Sequence, residues 1–430
     1  MSQQPAGRNR PQQVIEALYA ANEGLPAAQR QARFARMAAS PERFFRIAST
    51  LYWQDAWHDW RVALFGGWPE TRTWLHGDAQ VGAFAAVCHP HEPLHYGLAG
   101  VDSALIGDYQ LDLWRLATSL VLDGRENAGL SAKAIDKALE ALVAGYMGML
   151  AAHRDGKTEA PRVSEPLKGF LNRMADRQRP RRALEKWTEQ PDGQKRRFLV
   201  RPGKLVNLPA DVASQLKRLI DNDYQQTLQA PPGKGRDGLF AVKDSARRLS
   251  AAGIEHYFVL LEGGPDGEHD DVILEVKEQV PPAAFALLTK ADQQGWRKLF
   301  PNEGLRHAAA FHALGAHSDA YLGWLTLNDR VFAVRRLPEH RKALATRKLG
   351  AKAYRKLARQ WGQRLAWQHL QGAGALNRGD ARGFSEAVCR RLEGHEASFT
   401  QGVTRFAQEY ATCVEQDYAL FLAHFMAEAA

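Results

Sequence analysis

The sequence predicts an α+β protein with a small β-rich part and a larger helical one. Two observations carry this expectation. Stretches near both ends repeat apolar residues every three or four positions, as amphipathic helices do. Between them stands one strong hairpin signal, HYFVLLEGG (256–264) and DVILEVKEQV (271–280) around the turn-forming GPDGEHD. No internal repeat is visible, so a repeat array is excluded.

Taken in order, MSQQPAGRNRPQ (1–12) is polar, contains no apolar run of a secretory leader, and is expected to be disordered. Residues 11–65 read as helices, the first beginning at Pro11 and stopping at Gly24. WLHGD is a short strand entering a turn, and HYGLAGVDSA is another. From Asp112 the pattern becomes helical, with Leu113, Leu116, Ala117 and Leu120 on one face; a second helix follows, capped by Ser131. Residues 154–210 are basic and punctuated by Pro and Gly, and read as a connecting or lid-like region. Beyond the hairpin, AAAFHALGAH reads as helix and RVFAVRRL as strand, and two long amphipathic helices close the chain. The expected organisation is a single region over 13–430: helices and loop motifs in 13–153, the basic connection in 154–210, a β-rich part in 211–340 and C-terminal helices in 341–430.

Apolar residues make up 45% and charged residues 24% of the 430, ordinary values for a chain that folds. No window approaches a bilayer span, so the chain is expected to be soluble, with no membrane partner. The three cysteines, Cys88, Cys389 and Cys413, form neither a disulfide framework nor a zinc spacing, and a reducing cytoplasm is the expected location. The net charge of +9 favours an acidic partner, whether nucleotide, nucleic acid or phospholipid headgroup. Much of the excess lies in three runs, 172–186, 194–204 and 334–348. These read either as a solvated face or, less commonly, as a nucleic-acid stripe; no zinc-finger or ribonucleoprotein motif accompanies them.

Phosphoryl transfer needs an aspartate to take the acceptor proton, Mg²⁺ ligands, a lysine on the nucleotide phosphates and backbone amides over them. In WLHGDAQVGAF an apolar run reaches a His-Gly-Asp turn, and Asp78 is the candidate base. Its plain alternative is a turn residue. About twenty residues on, AGVDSALIGDYQLDLWRLA offers Asp102 as a metal ligand and Asp112 as a helix-opening aspartate that braces the loop. Lys277 stands in a strand where Ile273, Glu275 and Lys277 share one face and Val272, Leu274 and Val276 the other; it is a phosphate partner or a surface lysine. Upstream, RRLSAAGIEHY offers a phosphate-covering loop with only Gly253 in it. Cys88, His89, His91 and His95 fit no standard metal spacing and read as a polar loop. There is no G-x-S-x-G elbow, Walker loop or H-E-x-x-H.

These motifs, in this order over some 380 residues, resemble the bacterial domain-of-unknown-function family 2252, related to kinase-like and aminoglycoside-phosphotransferase-like folds. Met37, Ser40, Pro41, Phe44, Phe45, Arg46 and Asp55 match its opening motif, with Ile47 replacing a glycine. HGDAQVGAF resembles its G-D-A-H-x-x-N-F loop. Asp112, Arg115 and Ser119 carry its D-L-x-R-L-A-x-S helix, and ILEVKEQ its K-E-A strand. His369, Tyr410, Asp417 and Tyr418 match its C-terminal helices.

The resemblance implies a kinase-like two-lobed fold. Its motif order is rearranged or circularly permuted, since the loop motifs precede the phosphate hairpin. It also implies ATP and Mg²⁺ as cofactors, a nucleotide as ligand, and an acceptor substrate it does not name. Arg46 is a further anion-contacting candidate on this ground alone. The sequence departs from the pattern at Ala83 for the metal-binding Asn, Gln80 for His, Gly100 for the first Asp of D-F-D-E, and Arg248 and Ser250 for loop glycines. Those departures make a pseudokinase, binding nucleotide without turnover, the competing reading, with nucleic-acid binding a remote third.

Overall fold

The long C-terminal patterns fold as foreseen, as helices Ala351–Leu376 and Glu396–Phe421, in a computed structural model that describes residues 9–89, 94–176, 181–192, 194–228, 241–249, 254–263, 271–315 and 319–426. The first helix opens at Arg10, one residue before the proline that signals it. Arg10 reaches Asp55 at 2.8 Å and Asp417 at 2.5 Å, and the Tyr410 hydroxyl donates to Asp55, so the two ends of the chain are tied together.

The helical part is built on the antiparallel pair Ala132–Arg154 and Ala351–Leu376. The two backbones approach closely because Gly145 and Gly362 face each other's chains. A Cβ on Gly145 would collide with the carbonyl of Arg359, and one on Gly362 with that of Leu142. Helix Tyr109–Glu126 lies against Glu396–Phe421, where Trp114 stacks on Phe406 at 4.5 Å. Its first sixteen residues are buried, so its polar side chains must find partners inside the protein.

The β residues form mainly one six-stranded antiparallel sheet, in the order Gly323–Leu327, Arg330–Arg336, Val272–Glu278, His256–Leu261, Val242–Arg248 and Leu205–Asn207. The phase read from the sequence is the one observed. Val272, Leu274 and Val276 pack with Leu216, Leu219 and Ile220 of helix Ala210–Asp221, whereas Ile273 joins Trp187, Phe198 and Phe258 on the opposite face. The stretch 154–210 is more than a connection. It supplies helices Leu167–Ala175 and Arg182–Trp187, and its strand Leu205–Asn207 completes the sheet edge. Strand Val242–Arg248 was not expected, because its alternating charges hide the pattern; Ala246 alone of its residues is buried.

Two smaller sheets position the loops. Strand Arg72–Leu75 pairs antiparallel with Leu105–Asp108, ending at Leu75 opposite Leu105. Strands His340–Ala343, Phe84–Cys88 and His95–Leu98 form a three-stranded sheet that receives the chain as it leaves the six-stranded one.

Candidate functional site

The register of Leu75 opposite Leu105 brings together the residue triplets that flank them, His76–Gly77–Asp78 and Asp102–Ser103–Ala104. Two carboxylates expected from separate motifs therefore share one end of a two-stranded sheet. Gly77 makes the turn possible. Its φ is +77°, in the left-handed region, and a Cβ there would collide with the Ser103 carbonyl.

One helix then receives the whole Asp78 loop. Asp112, fully buried, accepts from the backbone N–H of His76 at 2.6 Å and of Gly77 at 3.1 Å. Burial opposes its charge, but the His369 and His76 side chains and the His76 amide outweigh it and hold its carboxyl below the ordinary range. One turn on, the buried Arg115 donates to Asp78 Oδ1 at 2.7 Å, and a turn further Ser119 Oγ accepts from the Val81 amide at 3.0 Å. The spacing i, i+3, i+7 puts all three on one helix face. Arg115 is also stacked over Phe45 at 4.6 Å and Tyr52 at 5.1 Å, residues of the opening motif. Gln80 donates to the other Asp78 oxygen at 2.8 Å, and the Asp78 side chain keeps 29% exposure.

Lys277 extends from its strand to Asp102 at 2.8 Å, and Gln279 donates to the second Asp102 oxygen at 3.0 Å. Burial works against the Asp102 charge, yet Lys277, His307 and Arg335 hold its carboxyl well below the usual carboxylate range. The loop backbone is fixed by Arg306, fully buried, which donates to the carbonyls of Asp102 at 2.8 Å and Ala104 at 3.0 Å and pairs with Glu303 at 2.5 Å. His307, beside it on helix Glu303–Leu314, is pushed down to about 3 by burial and by Arg335, Arg306 and Lys277, against the pull of Asp102. The fully buried His76 ring is lowered by burial, against the pull of Asp112, Asp78 and Asp102, with Arg341 adding to the lowering. One imidazole thus senses all three aspartates.

Arg46 lies in the last turn of helix Pro41–Ile47 and is half-buried; burial, Arg335 and, least, Arg46 lower Arg341, against the pull of Glu275 and Asp102. Gly253 lies outside the described residues, as do Ser250, the hairpin turn 264–270, and His91 of the histidine loop. Ala83 is buried at the end of a short 3-10 turn. Gly100 takes φ +93°, a conformation that an aspartate would enter only with strain.

Among the described residues, no group of three or more His, Cys, Asp or Glu side chains is placed to hold a metal ion. Asp102 has both oxygens engaged. One carboxylate fits a Mg²⁺ carried in on phosphate oxygens, which needs only one or two protein ligands, and does not fit a resident ion in a protein cage. Buried polar atoms without a hydrogen-bond partner among the described residues gather here: His76 Nε2, Gln80 Oε1, Arg115 Nη1, His307 Nδ1 and Gln279 Oε1. Unpaired buried polar atoms are uncommon and concentrate where a ligand or water completes the site.

On the same sheet face as Lys277, a cavity of about 440 Å³ opens between the six-stranded sheet and the helical part. Gly100 and Val101, beside Asp102 in the chain, and Glu275 and Arg335 are among the residues that line it. Sequence reasoning did not give this cavity's lining, and it missed Gln279, Arg306 and His307. The basic runs 172–186 and 334–348 were its only signal, and a run does not reveal which other run it meets.

The chain matches, over residues 26–424, the family described as an uncharacterized protein conserved in bacteria, domain of unknown function 2252. No curated protein and no solved structure matches it. The chain belongs to that family.

Proposed function

We propose, for this member of family 2252, a kinase-like phosphotransferase that binds ATP at Lys277 and transfers its terminal phosphoryl group to an acceptor hydroxyl. The observation that carries the reading is the Lys277–Asp102 pair beside the braced Asp78 loop. A strand lysine, a loop carboxylate and a second carboxylate at the head of a helix-anchored turn are the parts phosphoryl transfer needs. The motif order supports a permuted kinase-like arrangement of two lobes, the six-stranded sheet with helix Glu303–Leu314 forming the smaller one.

In this mechanism Lys277 exchanges Asp102 for phosphate oxygens, and Asp102 is freed as a ligand. Mg²⁺, when bound with the nucleotide, supplies charge neutralisation on the phosphates. Asp78 accepts the proton of the acceptor hydroxyl as its oxygen bonds to the γ-phosphorus, and the bond from that phosphorus to the bridging oxygen breaks to release ADP. Arg115 keeps Asp78 oriented. Arg341, which lines the cavity, adds positive potential, and Arg46 adds to it from nearby.

A second reading, binding without turnover, is favoured by Ala83. This buried methyl stands where an amide metal ligand is expected, and Gly100 removes another. The two readings separate on ATP titrated with and without Mg²⁺, followed by phosphate release, for wild type and Asp78→Asn. Turnover expects Mg²⁺-enhanced binding and release that falls at least about a hundredfold in Asp78→Asn, the usual worth of a general base. Binding that ignores Mg²⁺, with no release from either protein, leaves the second reading.

A further inference from the structure

The 440 Å³ cavity has a charge pattern that a slot for a neutral ring does not need. Helix Arg182–Trp187 contributes Arg182 and Lys186 to its wall, strand Val242–Arg248 contributes Arg248, strand Arg330–Arg336 contributes Arg335, and the strand after it Arg341. Three carboxylates also line it, and each is committed. Glu275 is taken by Arg335 at 2.6 Å. Asp319 accepts from the amides of Tyr321 at 2.9 Å and Arg336 at 3.0 Å, and Glu339 from that of Ala183 at 2.8 Å. Burial raises both Asp319 and Glu339, against the pull of their amide donors and nearby arginines.

Arg182, Lys186, Arg248 and Arg341 have no carboxylate within ion-pair distance among the described residues. The Trp187 ring in the wall is already flanked by cations, Lys186 at 4.6 Å and Arg248 at 5.1 Å. Crowding is evident in the charges themselves. Burial and then Arg248, Arg182, Lys204 and Arg201 depress Lys186, and burial, Arg182, Lys342 and Lys186 depress His340. Like charges gathered around a cavity repel unless an anion sits among them.

We infer that this cavity is a binding site for a small polyanion carrying two or more phosphate groups. Its volume is that of an ordinary small-molecule site, which spans roughly 300–1,000 Å³. The planar guanidinium groups of Arg182, Arg248 and Arg341 suit bidentate contact with phosphate oxygens. The phosphates come either from a nucleotide's triphosphate or from a separate phosphate ester. The site goes beyond the Lys277 reading, because its cations lie on other strands and on the Arg182–Trp187 helix.

The test is a calorimetric titration of the full chain with inorganic tripolyphosphate, without divalent ions, for wild type, Lys186→Gln, Arg248→Gln and the double variant. Wild type is expected to bind, each single variant about tenfold more weakly, as befits one charge-assisted contact. Lys186 is exposed, so its variant folds as wild type does, and unfolding midpoints check this. ATP that displaces tripolyphosphate assigns the site to the nucleotide's own tail, and ATP that binds alongside it assigns the site to a phosphate ester; both support a polyanion site. No binding at millimolar ligand, or equal affinity in the double variant, overturns the inference. A double variant equal to wild type, with ATP binding still lost in Lys277→Ala, overturns it while leaving the nucleotide reading in place.

Discussion

Asp78 and Asp102 are each met by a cation that the sequence places far away, Arg115 and Lys277, and each keeps part of its side chain exposed. Single residues decide how well this geometry holds. Gly77→Ala forces a Cβ into the Ser103 carbonyl at a left-handed φ, and is expected to cost about 1–3 kcal/mol, read as a lower urea midpoint. Arg306→Met is harsher, leaving one Glu303 oxygen and the carbonyls of Asp102 and Ala104 without their donor inside the protein, while Arg297 keeps the other Glu303 oxygen, an expected loss of about 3 kcal/mol in the same measurement. An unchanged midpoint in Arg306→Met would mean that the Asp102 loop is held by something else. Asp112, Arg115 and Ser119 were legible in the sequence, since a helical spacing shows that they share a face. Arg306 and His307 were not, because they reach Asp102 from about 200 positions away, and only tertiary structure pairs such residues.

At the scale of elements, helix Tyr109–Glu126 converts sequence spacing into site geometry, one contact per turn. Its burial explains why so polar a stretch is tolerated: Asp112 and Arg115 are each hydrogen-bonded, Arg115 being also stacked on rings. The hairpin phase was equally readable, as the apolar Val272, Leu274 and Val276 alternate strictly with Ile273, Glu275 and Lys277. Strand Val242–Arg248 was hidden by its charges, and the basic runs looked like solvated faces although two of them meet in a cavity. The helix pair Ala132–Arg154 and Ala351–Leu376 depends on bare backbone. Gly362→Leu is expected to push the helices apart and cost at least about 3 kcal/mol, seen as a fall in the unfolding temperature; a neutral result would refute the close approach.

For the whole molecule, the α+β class and the family were open to sequence reading, and the lining of the cavity was not, since it is assembled from six separated stretches of the chain. Stability against acid is a property of the assembled fold too. His307 is held neutral, its pKa near 3 against an ordinary value of about 6.5. Between those values the unfolded chain binds a proton that the folded one refuses, so stability is full above the upper value and falls as pH drops, by up to ~1.4 kcal/mol per unit. His307→Gln is expected to flatten this decline between pH 6.5 and 4, measured by urea unfolding, and an unaltered slope would show that other groups dominate it. The account as a whole rests on Lys277 and Asp102 meeting at a phosphate site. Its most direct test is the ATP dissociation constant of wild type against Lys277→Ala, measured with Mg²⁺ present. A weakening of about tenfold or more is expected for the loss of one charged phosphate contact, and an unchanged constant would contradict the account.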